Sequence, residues 1–196
     1  MWGYRRELHD ANPRILALIA PSVAGGIAGA LLLRKTPQSI FDIMVPFQIL
    51  FATVLLMIQD WVQRKLKKTH AEAHRSGRWL AGAMLFQLLV ALYGGYFGAG
   101  IGILMLAALS LLGLTNIHQM NGMKILFAGC INAVTSVYFV WAKMIYWPYF
   151  LVMVTGAIAG GYGGALFARR LGARAVRRIV IAVGLAMALS LFIKVL

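Results

Sequence analysis

The chain has 196 residues, of which 61% are hydrophobic and only 12% charged, with five carboxylates in all. A water-soluble domain normally carries about a quarter of its residues as charges, so this composition excludes an ordinary soluble fold and calls for lipid. The net charge of +14 would suggest nucleic acid in a soluble protein, but here the basic residues stand between apolar runs instead of among exposed aromatics, which argues against a nucleic-acid surface.

Six apolar runs follow one another along the chain: Ile15–Leu33, Ile40–Gln59, Trp79–Leu114, Asn121–Trp141, Tyr149–Ala168 and Ile179–Leu196. Each is near or above the ~20 residues that cross a ~30 Å hydrocarbon core as a helix. The first is too long for a signal peptide and no small-residue cleavage site follows it. Asp42, the one carboxylate close to the start of a span, is expected to cap a helix N-terminus. Basic residues cluster at Arg64, Lys65, Lys67, Lys68, Arg75 and Arg78, and again at Arg169, Arg170, Arg174, Arg177 and Arg178. Such clusters mark cytoplasmic loops under the positive-inside rule, with contact to anionic lipid headgroups as a consequence. The fold class expected is therefore all-α, a polytopic membrane protein.

The first and fifth runs carry one motif twice. Ala24–Lys35 reads AGGIAGALLLRK and Ala159–Arg170 reads AGGYGGALFARR, at a constant offset of 135 residues that continues without a gap into the following run. The chain is thus expected to hold two copies of one helical hairpin. Gly25 and Gly29, like Gly160 and Gly164, form G-x-x-x-G, which lets membrane helices approach closely because no side chain separates their backbones. By the same offset, the counterpart of Trp79–Trp141 would fall before residue 1, so the sequence reads as N-terminally incomplete. The domain organisation that follows is the C-terminal part of a first membrane repeat over 1–66, a basic cytoplasmic loop over 67–78, and a complete second repeat over 79–196.

The third run is too long for one span: from Trp79 to Leu114 a straight helix would measure ~54 Å at 1.5 Å per residue. Its centre, YGGYFGAGIGILML from Tyr93 to Leu106, holds five glycines. Glycine costs ~1 kcal/mol in a helix interior and tolerates positive φ, so the run is expected to split into Trp79–Tyr93 and roughly Ile101–Leu114. Backbone broken at membrane depth survives only inside protein or against a wet cavity. Where a half-helix starts at such a break, its N-terminal amides and dipole favour an anion. Close packing through Gly94/Gly98 and Gly98/Gly102 is the alternative. The break also lets both basic clusters fall on one side of the membrane, which makes the two hairpins inverted relative to each other.

In the fourth run Asn121, Lys124, Asn132, Thr135 and Ser136 share one helical face, and Ile125, Phe127, Val134 and Tyr138 the opposite one. Lys124 has no carboxylate anywhere after Glu72 to neutralise it. It is read either as a cation that attracts an anionic substrate or as a lysine that snorkels to the interface. The single cysteine, Cys130, rules out an internal disulfide and reads as a small residue between helices. His70 and His74 share helical spacing but lack carboxylates for a metal site, and no phosphate-binding glycine motif occurs.

The stretch GGYFGAGIGILMLAALSLLGLTNIHQMNGMKILFAGCINAVTSVYFV resembles the second-half motif of the TauE/SafE sulfite exporter family, and PSVAGGIAGALLLRKTPQSIFDIMVPFQILFATVLLM resembles the end of that family's first half. The likeness runs over nearly the whole chain. It departs in having Gly98-Ala-Gly100-Ile-Gly102 where the family has a richer glycine run, in lacking a proline the family often places near Met105, and in lacking the first half's glycine motif. The resemblance implies a multi-pass inner-membrane permease that exports sulfite or another small sulfur-containing or organic anion by secondary transport, without cofactor or metal. The residues expected to bind substrate are Gly95, Gly98, Gly100, Gly102, Asn121, Lys124 and Asn132. The expected partners are the anion and membrane lipid, with a second copy of the chain left open and no nucleic acid. The alternative is a non-transporting membrane partner or degenerate half-permease. A membrane enzyme is not expected, since the apolar runs offer no convergent nucleophile, base or metal cluster.

Overall fold

A computed structural model describes residues 16–68, 77–111 and 117–195. Residues 69–76, with His70, His74 and most of the expected basic loop, lie outside the described residues. Within them the chain forms seven helices: α1 (Ile19–Lys35), α2 (Gln38–Lys68), α3 (Gly77–Tyr96), α4 (Ile101–Leu111), α5 (Ile117–Trp141), α6 (Trp147–Leu171) and α7 (Ala173–Val195). The described residues contain no strand. The all-helical membrane fold expected from composition is the fold observed. Three segments are long and apolar enough to cross a bilayer, Gln38–Gln59, Gln119–Trp141 and Ala175–Lys194, and Leu80–Tyr96 is a shorter apolar helix.

Lipid tails are as apolar as leucine, so membrane helices associate through tight packing instead of through release of water. The first G-x-x-x-G shows how. A methyl group at Gly25 would lie 2.6 Å from Ala91 Cβ and from the Leu88 carbonyl, and one at Gly29 would run into the Leu92 carbonyl and stand 2.8 Å from the Tyr96 amide. The backbones of α1 and α3 therefore touch. Beside that contact, Ser22 and Gln87 are fully buried. Gln87 Nε2 donates to Ser22 Oγ at 2.8 Å, and Ser22 Oγ donates to the Leu18 carbonyl at 2.7 Å. Leu18, Val90, Ile101, Met105, Leu109, Met123, Phe127 and Ile131 fill the core between α1, α3, α4 and α5.

The contacts also give the helix directions. Ser22 meets Gln87 and Gly29 meets Tyr96, so α1 and α3 run parallel. Gly26 meets Ile131 and Arg34 Nη1 donates to the Tyr138 hydroxyl at 3.2 Å, so α5 runs the same way. Helix α2 returns against them: the Phe41 ring packs on Tyr96 and the Phe51 ring on Tyr93, with centroids 6.3 and 5.6 Å apart. Pro46 is buried inside α2, where its missing N–H leaves the Asp42 carbonyl without a helical donor. Asp42 does not cap α2, which begins at Gln38; its carboxylate instead accepts from Gln38 Nε2 at 2.7 Å, one turn back.

Helix α7 lies antiparallel to α2. The Phe47 and Phe192 rings meet edge-on at 4.9 Å, Thr53 sits against Gly184, and Arg177 reaches the Leu56 carbonyl. Because α2 and α7 occupy equivalent places in the two sequence repeats, this seam joins the repeats, and their opposed directions make the hairpins inverted copies. The end of α2 and the start of α7 consequently lie at the same end of the bundle. Helix α6 bridges the end of α5 and the start of α7 and is exposed along most of its described length. Its glycines 156, 160, 161, 163 and 164 have open space where a methyl would go. The same motif is thus packed in one copy and uncovered in the other.

Candidate functional site

The site is built on the glycine break. Helix α3 ends at Tyr96, three turns of α4 begin at Ile101, and between them Gly98 has φ +82° and Gly100 φ +76°. Those left-handed values cost an L-residue roughly 1–2 kcal/mol and cost glycine nothing. Tyr93 organises the turn from inside α3. Its carbonyl accepts from the Phe97 amide at 2.9 Å and the Gly98 amide at 3.2 Å, while its hydroxyl donates to the Ala99 carbonyl at 2.9 Å. The Gly100 carbonyl in turn accepts from the Ile103 amide at 3.0 Å and starts α4 tightly. These bonds satisfy part of the broken backbone locally, as burial away from water requires.

Helix α4 has 11 residues, about 16 Å, or half the apolar thickness of a bilayer. It runs back beside α3: a methyl at Gly94 would lie 3.3 Å from Ile101 Cδ1. Its buried face, Met105, Leu106 and Leu109, is held in the core. It is a half-helix that enters the bundle.

A cavity of about 270 Å³ opens beside its first turn, lined by Ile49, Ala52, Thr53 and Leu56 of α2, Phe97, Ala99 and Gly100 of the break, Ile103 of α4, and Val180 and Gly184 of α7. At ~30 Å³ per water in the liquid, the space exceeds what a small oxyanion needs. The Thr53 hydroxyl donates to the Ile49 carbonyl at 2.8 Å, and its oxygen lies against Gly184. The cavity lies on the seam between the repeats, where transporters with inverted repeats hold their substrates.

The expected site residues divide into groups. Gly98 and Gly100 form the break, and Gly100 lines the cavity. Gly102 and Lys124 are brought together: the half-buried lysine lies across Gly102, with Cδ 3.3 Å and Nζ 4.0 Å from where a methyl on Gly102 would stand. The ammonium thus reaches the first turn of α4, on the face next to the one that borders the cavity. Asn121 is half-buried one turn before Lys124 on α5, while Asn132 is exposed two turns beyond it. Gly95 is engaged elsewhere, pressed on the Gly26 carbonyl of α1, so its lack of a side chain serves helix contact.

The polar stripe of α5 borders the buried face instead of forming it. Among the described residues of α5, Met120, Gly122, Met123, Phe127 and Ile131 are the buried positions. Thr135 Oγ1 lies 3.5 Å from the Gly26 carbonyl at the edge of that face, and Ser136 is exposed. Residues that sequence reasoning did not single out are Tyr93, Thr53 and Gly184. Thr53 and Gly184 sit on different repeats and meet only through the seam. For Tyr93 a signal existed, an aromatic hydroxyl immediately before a glycine cluster.

Apolar helices that enclose a half-helix starting at a glycine break, beside a cavity on the seam of inverted repeats, define a polytopic membrane transporter. The chain belongs to the sulfite exporter TauE/SafE family, whose model matches residues 1–191. It is similar to the curated "Probable membrane transporter protein ORF9" of a Sinorhizobium species, at 25% identity over 190 residues, which are 96% of this chain and 70% of that protein. No solved structure matches it. Its function at this level is movement of a small molecule across a membrane.

Proposed function

We propose that this protein is an inner-membrane exporter of sulfite or another small sulfur-containing or organic anion, working by secondary transport, with the anion held at the first turn of α4. The units 1–66 and 79–196 act as parts of two repeats, and the basic segment between them faces the cytoplasm. One observation carries the reading, the placement of Lys124 Nζ at Gly102, 4.0 Å from the methyl position there.

The start of a helix bears roughly half a positive charge from its unpaired amides. An ammonium beside it adds a full charge of the same sign, and among the described residues no carboxylate neutralises it. Two positive groups in a low-dielectric setting repel each other, and desolvating the ammonium adds to the cost. A bound anion relieves both. Gly102 leaves room for the lysine stem, since a methyl there would crowd Lys124 Cδ at 3.3 Å.

Anion efflux from proteoliposomes at matched protein levels tests this. Lys124→Gln should raise the apparent substrate constant at least tenfold, while Lys124→Arg should keep part of the affinity because charge persists in altered geometry. Unchanged efflux kinetics in Lys124→Gln would remove the substrate role.

A further inference from the structure

One member of the second basic cluster behaves unlike a loop charge. Arg177 is half-buried and its Nη2 donates to two consecutive carbonyls in the middle of α2, Leu56 at 2.6 Å and Met57 at 3.0 Å. Its neighbour Arg178 is exposed. Helical carbonyls already accept from amides one turn on, so Arg177 uses their second lone pairs. The result is a charge-assisted hydrogen bond that joins two helices through groups whose helical bonds persist when it breaks.

Its position gives this contact a consequence. Leu56 lines the cavity, and Val180 and Gly184, one and two turns above Arg177 on α7, line it as well. Among the described residues, the seam between α2 and α7 holds the Phe47–Phe192 ring pair at one end, the Thr53–Gly184 notch in the middle, and Arg177 at the end that carries the basic clusters. The α6–α7 hairpin packs on the rest of the molecule mainly through α2. A hinge at the ring pair and a release at Arg177 would therefore open the cavity toward the basic end alone.

We propose that Arg177 is a latch that closes the cavity at its basic end by tying α7 to the backbone of α2. Opening at that end is one half of the alternation a transporter needs, so the proposal deepens the transport reading and rests on it. It concerns a different residue and a different element from the anion contact at Lys124.

The experiment uses the whole chain in liposomes with Cys130→Ser as background and one reporter at a time, Ala52→Cys in the cavity or Ala188→Cys, buried one turn before Phe192. A membrane-impermeant thiol reagent is applied from each face. With Arg177→Gln, labelling of the Ala52→Cys reporter from the basic face should rise at least tenfold, labelling of Ala188→Cys should stay the same, and Arg177→Lys should fall between, since an ammonium can still reach a carbonyl. No rise at Ala52→Cys overturns the latch. An equal rise at both reporters also overturns it, because it would mean that α7 has left α2 altogether. Labelling is read without substrate, so a rise at Ala52→Cys alone, accompanied by no anion efflux in the parent protein, would sink the transport reading and leave the latch standing.

Discussion

Gly29 and Gly164 hold the same place in the two repeats, and the structure predicts opposite responses to the same substitution. A methyl on Gly29 runs into the Leu92 carbonyl and stands 2.8 Å from the Tyr96 amide and 2.9 Å from the Gly95 carbonyl carbon. These are backbone atoms of α3 and cannot rotate away. Restoring ordinary contact needs α1 and α3 to part by about 0.5 Å or more, which strips contacts from Ser22 to Ala30 along the seam. Overpacking of this kind costs about 1–3 kcal/mol, partly offset by the ~1 kcal/mol that alanine gains over glycine inside a helix. Gly29→Ala should therefore destabilise by up to ~2 kcal/mol. Around Gly164 there is nothing within 4 Å of the methyl position, so only the helix-propensity gain remains and Gly164→Ala should stabilise by up to ~1 kcal/mol. For a chain of this size each kcal/mol moves the midpoint by about 2–4 °C, so the two variants, separated by the ~1–3 kcal/mol of overpacking, should differ by roughly 2–12 °C. Thermal unfolding in detergent, followed by tryptophan fluorescence and by recovery of the monodisperse peak, measures this. Equal midpoints for the two variants would refute the claim that only the first copy of the motif is packed.

The break itself makes two further predictions. Gly100→Ala must place a side chain at φ +76°, with its methyl 3.3 Å from Leu55 Cδ1, and should lower the same midpoint by about 3–6 °C, from ~1–2 kcal/mol of strain; Gly82→Ala, with open space around it, should not lower it. Tyr93→Phe removes the donor to the Ala99 carbonyl, worth about 0.5–1.5 kcal/mol, and should speed amide exchange across residues 98–103 roughly three- to tenfold while exchange in the α1–α3 seam is unchanged.

Much of the fold was legible because lipid imposes simple constraints on sequence. Five of the six apolar runs correspond to single helices, and the third divides at the glycines as its length requires: the expected pieces end at Tyr93 and start at Ile101, and the observed ones end at Tyr96 and start at Ile101. The three extra residues of α3 follow from hydrogen bonding, since the Tyr93 carbonyl is still accepting amides from Phe97 and Gly98. The site was less legible because glycine serves two needs that look alike in sequence. At Gly98 and Gly100 it supplies positive φ, whereas at Gly95 it supplies room for Gly26. Lys124 and Gly102 lie 22 residues apart, and nothing local announces that the lysine stem lies on that glycine.

Arg177 and the second glycine motif show the same point from the side of topology. A basic residue between two apolar runs is enough to orient a membrane protein, so its sequence position explains a charge at that end and stops there. What makes Arg177 different from Arg178 is one 100° step around α7, which aims it at α2 while its neighbour faces outward. That step has meaning only once α2 lies antiparallel beside it, with Thr53 seated in the notch at Gly184. The G-x-x-x-G of α6 is as good a packing motif as that of α1, yet a motif of this kind creates a surface and does not choose what fills it. In α1 the choice is made by α3, whose Ala91 and Gly95 are small where α1 comes closest. Close contact between membrane helices therefore belongs to a pair of faces, and reading one face alone foretells the capacity for contact without foretelling the contact.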